Sequence, residues 1–266
     1  MINIFKAYKL ITAVILLAFT AYACEKEIDV DLRSVPSRIL IEGMVRQNSA
    51  PMVRVSRTLD FNESSDYPFL KGAVVKISDD AGNTETLKQD NTGWYVAGKL
   101  RGETGRTYNL SVNYEGKEYT ATSKMPPQVK IDSLTMYRVP IMDYALPMVH
   151  FKDPVGKEND YYRCIVYING KQRMNAREIV LTGQFTDGSP MHAILPVSSE
   201  NDEDDPVKQG DELLVEFQSV DKKTYTFFEN LSRLDNSLTN PASNIKGGAL
   251  GVFSAFSYDL MLIVAK

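Results

Sequence analysis

Beyond residue 37 most of the chain alternates apolar and polar residues with a period of two. Between Arg38 and Ser123 the alternation marks the segments RILIEGMV, PMVRVSRTL, GAVVKIS, GWYVAG, TYNLSVNY and KEYTATS, whose length and make-up predict β-strands. In TYNLSVNY, Tyr108, Leu110, Val112 and Tyr114 share one face while Asn109, Ser111 and Asn113 share the other. A half-buried strand of an antiparallel sheet has that pattern. Turn residues punctuate the series at Asp80-Ala81-Gly82-Asn83 and at Thr92-Gly93. At Glu115-Gly116 only the turn pair separates two alternating runs, as a tight hairpin requires.

This spacing predicts a mainly β protein whose first domain, residues 38–125, is a β-sandwich of immunoglobulin or transthyretin type. MPPQ, residues 125–128, is the expected boundary, because Pro126 and Pro127 cannot donate to a ladder and stiffen the chain. Strand patterns then resume in IDSLTMYRV, LPMVHFKD, YYRCIVYI, IVLTGQF, MHAILPV and LLVEFQSV, a second antiparallel β unit over 128–266. Asn169-Gly170 is its strongest hairpin signal. One packed helix is expected at about 222–238, where Phe227, Leu231, Leu234 and Leu238 form a single stripe and Thr226 with Glu229 has capping-box spacing. After NPASNIKGG, the tail ALGVFSAFSYDLMLIVA reads as one or two closing strands rather than a membrane span, since Gly251, Ser254, Ser257 and Asp259 interrupt it.

The N-terminus has a different texture. Lys6 and Lys9 precede the apolar run LITAVILLAF and small residues follow, the build of a signal peptide over 1–23. The run is short against the roughly 20 residues needed to span a bilayer. Ala21, Tyr22 and Ala23 before Cys24 resemble a lipobox, with Ala21 where Leu is usual. Cys24 is therefore the expected lipid attachment site, and acyl chains there anchor the protein firmly, each buried methylene contributing about 0.8 kcal/mol. Cleavage by an ordinary signal peptidase would instead leave a free thiol. Residues 24–37 are the expected tether. Its acids Glu25, Glu27, Asp29 and Asp31 resemble the export tags of surface lipoproteins of the Bacteroidota, and a merely solvated tether is the alternative.

Charge and composition narrow the chemistry. Removal of Lys6 and Lys9 leaves 28 basic against 34 acidic residues, a net charge of −6, which disfavours nucleic acid as a partner. No Gly-rich phosphate loop, nucleophile elbow or H-E-x-x-H pair occurs. With only His150 and His192 in the chain, histidine triads and metal sites have little raw material, and both read as ordinary strand residues. No catalytic residue, cofactor or metal ligand is nominated. The acidic SENDEDDP, residues 199–206, offers carboxylates to calcium but lacks the glycine and terminal glutamate of a calcium loop, so a solvated loop is expected. Trp94 reads as packing, Tyr161 and Tyr162 as packing or stacking residues, and Cys164 as a small apolar residue in a strand core.

GAVVKISDDAG, TGWYVAG and GETGRTYNLSVNYEGKEYTATSKMP, in that order, resemble the transthyretin-like regulatory domain of carboxypeptidases and of outer-membrane receptors. Together with IDVDL, ILIEGMV, SKMPP before IDSL, and NPASNIKGGALGVFSAFS, they resemble the lipoprotein family of domain of unknown function 4249 over residues 24–266. The resemblance implies an outer-membrane lipoprotein, periplasmic or surface-exposed with the acids after Cys24 favouring the surface. It also implies an accessory or ligand-binding role beside a TonB-dependent receptor in nutrient uptake, without catalysis. A secreted glycan- or peptide-processing enzyme on a β-sandwich is the alternative, which needs converging carboxylates in a cleft. Mass spectrometry of the mature N-terminus is expected to find residues 1–23 gone and Cys24 acylated. An unmodified thiol at Cys24, or an intact Met1, refutes the anchor.

Overall fold

A computed structural model of the chain describes residues 36–59, 68–138, 140, 145–156, 160–173, 179–197, 207–233 and 240–266. The expected signal peptide, Cys24, most of the tether and the acidic segment 199–206 lie outside these residues. The alternating segments become β1 (Ile39–Arg46), β2 (Met52–Arg57), β3 (Val74–Asp79), β4 (Thr84–Thr86), β5 (Lys88–Gln89), β6 (Trp94–Val96), β7 (Thr107–Tyr114) and β8 (Lys117–Lys124). One sheet runs β4-β3-β7-β8, and β1-β2-β6-β5 belong to another. Alternation turns Val75, Ile77, Tyr108, Leu110, Val112, Tyr119 and Ala121 inward against Ile41, Val45, Val53, Val55 and Tyr95, the first hydrophobic core.

The remaining strands are β9 (Ile131–Arg138), β10 (Ala145–Lys152), β11 (Tyr161–Ile168), β12 (Lys171–Gln172), β13 (Ile179–Thr182), β14 (Pro190–Ile194), β15 (Glu212–Val220) and β16 (Leu250–Val264), with helix α1 (Lys222–Leu231) before the last. A three-stranded sheet, β14-β10-β9, packs over the inner face of β11, β15 and the end of β16, giving a second core that includes Ile131, Val149, Val166, Leu195, Leu213 and Val215. Phe151, Tyr162 and Phe217 pack ring against ring within it, with centroids 4.9 Å (Phe151–Tyr162, edge-on), 4.6 Å (Phe151–Phe217, tilted) and 5.0 Å (Tyr162–Phe217, stacked) apart. Asn169 (φ 51°) and Gly170 (φ 76°) make the expected hairpin between β11 and β12, with Ile168 opposite Lys171.

The helix begins where the sequence pattern puts it but is capped differently. Asp221, directly after β15, accepts from the Thr224 backbone N–H at 2.8 Å through Oδ1. Thr226 therefore lies inside the helix, and Glu229 pairs forward with Arg233 at 2.9 Å rather than closing a capping box. The helix ends at Leu231, short of the expected 238; the Arg233 N–H bonds Asn230 O at 3.1 Å and the Ser232 hydroxyl bonds Glu229 O, tightening the last turn. Leu234 and Leu238 lie outside the described residues. Among the described residues, no helix is long and apolar enough to cross a membrane.

The tail forms one continuous strand, β16, which serves both cores. Leu250 to Phe256 pair in parallel with β1, and Ser257 to Val264 pair antiparallel with β15. Consequently Ile245, Ala249, Phe253 and Ala255, expected in the second unit, pack in the first core, while Ala265 reaches the second. Gly251 sits at φ 98°, and a Cβ on it would overlap the Ile41 carbonyl oxygen. Gly43 leaves the space that the buried Phe253 ring fills, its would-be Cβ standing 2.8 Å from Phe253 Cδ2. Gly251→Ala is expected to destabilise by more than about 3 kcal/mol, combining backbone strain with a main-chain clash. Gly43→Ala, which only crowds a ring, is expected to cost about 1–3 kcal/mol. Denaturant midpoints measure both, and equal effects would contradict the different roles assigned to the two glycines.

Candidate functional site

The four strands β1, β16, β15 and β11 lie side by side, and their alternation defines a face turned away from both cores. At its centre Glu216 on β15 is only 6% exposed, so its carboxylate needs partners. Arg46, the last residue of β1, supplies one at 3.1 Å, with its guanidinium 3.8 Å above the Tyr258 ring of the intervening β16. Gln218 donates to the other Glu216 oxygen at 2.8 Å and accepts from Arg163 at 3.3 Å. Arg163 lies 3.9 Å over the Phe228 ring of α1. A charged and aromatic chain thus runs across the sheet from β1 to the helix and holds each planar group against the next.

Beyond Tyr258 the same face turns apolar and open. Leu260, Leu262 and Val264, two residues apart along β16, are 46%, 57% and 49% exposed. Half-buried Leu214 on β15 and Tyr167 on β11 continue the row, Leu214 directly opposite Leu262 and Tyr167 opposite Leu214. β1 stops at Arg46, opposite Phe256, and among the described residues no strand pairs with β16 on that side from Ser257 onward. The Gln128 side-chain amide covers Tyr258 O at 2.8 Å, and Asp259 accepts from the Ile131 N–H at 2.9 Å. From Leu260 to Val264 an apolar row therefore coincides with an unpaired strand edge, an arrangement suited to protein association.

The residues singled out in the sequence fall elsewhere. His150 on β10 and His192 on β14 are brought into direct opposition, Nδ1 to Nδ1 at 2.6 Å. Trp94 is half-buried. Tyr95 is buried, its hydroxyl accepting from Ala73 N–H and donating to Leu70 O. Tyr161 packs on Tyr225 with ring centroids 4.9 Å apart. Tyr162 is buried and donates to buried Asp153 at 2.6 Å; burial first, then that carboxylate, pushes its hydroxyl far above the ordinary range. Burial pushes the Cys164 thiol up to about 12, so it stays protonated in the core. Cys24 and residues 199–206 are outside the described residues.

Sequence reasoning missed Arg46, Glu216, Tyr258 and the Leu260–Val264 row. In DLMLIVA both alternating sets are apolar, Met261 and Ile263 inward and Leu260, Leu262 and Val264 outward, so periodicity alone names no solvent face.

A hollow of about 670 Å³ opens beside β4, lined by Asp79, Asn83, Glu85, Lys99, Arg101 and Glu103 among others. Its loop 98–100 turns three successive N–H groups toward one anion, and the protein supplies that anion itself. Glu85 accepts from Gly98 at 2.7 Å, Lys99 at 3.1 Å and Leu100 at 2.7 Å. Burial pushes the Glu85 carboxyl up, but these donors outweigh it and hold it below its ordinary value. A depressed folded-state pKa gives stability that is present above the unfolded pKa and lost as the pH falls through the folded value.

The sequence profile of the family described as "Domain of unknown function (DUF4249)" matches residues 25–259. No curated protein matches the chain at a significant level.

Glu85→Gln is expected to cost about 2 kcal/mol at pH 7, through weaker bonds to the three N–H groups. Its deficit should narrow as the pH falls below about 4.5, the ordinary glutamate value. Chemical denaturation at pH 7 and pH 3 tests this, and a deficit that is constant with pH refutes the carboxylate's role.

Proposed function

The chain belongs to the DUF4249 family, and from that premise we propose that it is a non-enzymatic outer-membrane lipoprotein, anchored through Cys24, that docks on an integral partner of the uptake machinery, a TonB-dependent receptor. The observation that carries the reading is the exposed row Leu260, Leu262 and Val264 at the unpaired edge of β16. Open apolar edges are liabilities that proteins cover with charges, bulges or another chain. Here the edge residues Leu260 to Val264 include no charge and no proline. A receptor segment that adds a strand along β16 gains main-chain hydrogen bonds from the edge and apolar contacts from the row. Arg46, Glu216 and Tyr258 bound the row and keep its polar end rigid.

Anchoring matters to the energetics. A lipid on Cys24 confines the module to the membrane plane, where an integral partner is met at high effective concentration and a modest intrinsic affinity suffices. The acids after Cys24 favour the outer face of the outer membrane. Neither step requires a reacting side chain on this protein.

The test is mild crosslinking in the native outer membrane followed by identification of what co-purifies. The wild-type chain is expected to recover a TonB-dependent receptor. Leu260→Glu with Leu262→Glu is expected to lose it while leaving circular dichroism unchanged, since both positions are exposed. Cys24→Ala behind an ordinary secretion signal is expected to impair growth on receptor-dependent nutrients. If no receptor is recovered and the unanchored form supports wild-type growth, the docking role fails and glycan and peptide substrates become the next panel.

A further inference from the structure

The chain's two histidines, 42 residues apart, meet across one pair of strands on the exposed side of the three-stranded sheet. In the β10–β14 register, His150 stands directly opposite His192, with Met148 opposite Ile194. Val149 and Leu134 point the other way into the second core, so the sheet's alternation sends both imidazoles outward. The rings are close, with centroids 4.7 Å apart and planes inclined at 64°. Their Nδ1 atoms face one another at 2.6 Å.

We propose that His150 and His192 form a two-imidazole site for a borderline divalent transition-metal ion, Cu²⁺ bound more tightly than Zn²⁺, with the remaining coordination positions open to water or to an outside ligand. Two features of the pair carry this. First, imidazole nitrogens stand about 2.0–2.1 Å from such ions, so two neighbouring ligands on one ion lie about 3 Å apart. The two Nδ1 atoms need to separate by only a fraction of an ångström from where they stand. Second, Thr135 on β9 places Oγ1 2.7 Å from His150 Nε2. With Nε2 carrying the hydrogen and donating to Thr135, His150 Nδ1 presents a lone pair toward His192, and His192 needs only the same tautomer to make the second ligand.

The register of β9 against β10 slips between His150 and Phe151, which leaves Asp132 as the extra residue of a bulge. Among the described residues no group of three His, Cys, Asp or Glu side chains converges. The site is accordingly a bidentate one, open to solvent, and stands on a different sheet from the docking edge of β16.

The order of affinity follows from the ligands. Imidazole suits copper, zinc and nickel, and for a given nitrogen site copper binds the most tightly of the divalent series. The test is titration of the untagged full-length chain in detergent with Cu²⁺ at pH 7, followed by calorimetry and electron paramagnetic resonance. One ion per chain is expected, with hyperfine structure from two imidazole nitrogens, and Zn²⁺ is expected to compete more weakly. His150→Ala and His192→Ala are each expected to lower affinity on the order of 100-fold, because loss of one ligand forfeits the effective-concentration gain of the second. The double variant should bind hardly more weakly than either single one. His192 is exposed, so His192→Ala is expected to keep the metal-free melting temperature of the wild type and separates loss of ligand from loss of fold. Wild-type copper affinity in either single variant, or no stoichiometric uptake by the wild type, overturns the proposal.

Discussion

The parallel seam between β1 and β16 brings Leu40 beside Leu250 and Arg46 beside Phe256, so almost the whole folded chain lies between its two strands. Closing so long a loop costs entropy that grows only logarithmically with length, and buried contacts must offset it. They come from Phe253 and Ala255 against Ile41, Val45 and Val53 in the first core, and from Met261 and Ile263 against the second. Neither core is complete without the strand. Without it the first core loses Phe253, a fully buried ring, and the second loses a neighbour for β15. Parallel strands are normally covered on both faces, and Val252 and Phe256 on the side away from the first core are also nearly buried.

Polar ties secure the place where the two cores meet, and each has its partners. Ser123, next to last in β8 and 1% exposed, accepts from Ala255 N–H at 2.8 Å and donates to Asp221 at 2.7 Å. Asp221 in turn starts α1 and also accepts from Lys124 N–H. One carboxylate therefore joins β8, α1 and, through Ser123, β16. The proline connector is fastened in the same region, with Val129 N–H on Ser219 and Gln128 on Tyr258. Buried polar groups specify an arrangement more sharply than apolar ones, because a shifted register leaves them unpaired at a cost of about 1–3 kcal/mol each.

Local pattern made the strands legible, and distance along the chain set the limit of that legibility. β7 and β11 have the bounds that their alternation predicts, and Asn169-Gly170 turns as its residues require. Helix α1 starts at the expected residue because the Asp221 side chain caps its first turn. What alternation does not carry is register between strands far apart in sequence. It places His150 and His192 on exposed faces but not opposite each other. It identifies the tail as strand but not as the partner of β1 at one end and β15 at the other. The capping residue is obscured for a related reason: Asp221 lies between the end of β15 and the first residue of α1, outside the apolar stripe that marks the helix.

The composition of β16 fits its first half better than its second. From Leu250 to Phe256 a two-sided apolar strand is what a position flanked by β1 and covered on both faces demands. From Leu260 onward the inner side still faces a core, yet the outer side keeps leucine and valine where water stands and where β1 no longer runs alongside. A strand that simply ended a sheet would carry lysine, proline or a bulge there, since an unprotected edge recruits other chains. An apolar row that leaves about half of each side chain at an open edge lowers solubility. The row becomes favourable once another chain lies along it, because an added strand covers the apolar side chains and pairs the open edge in one step.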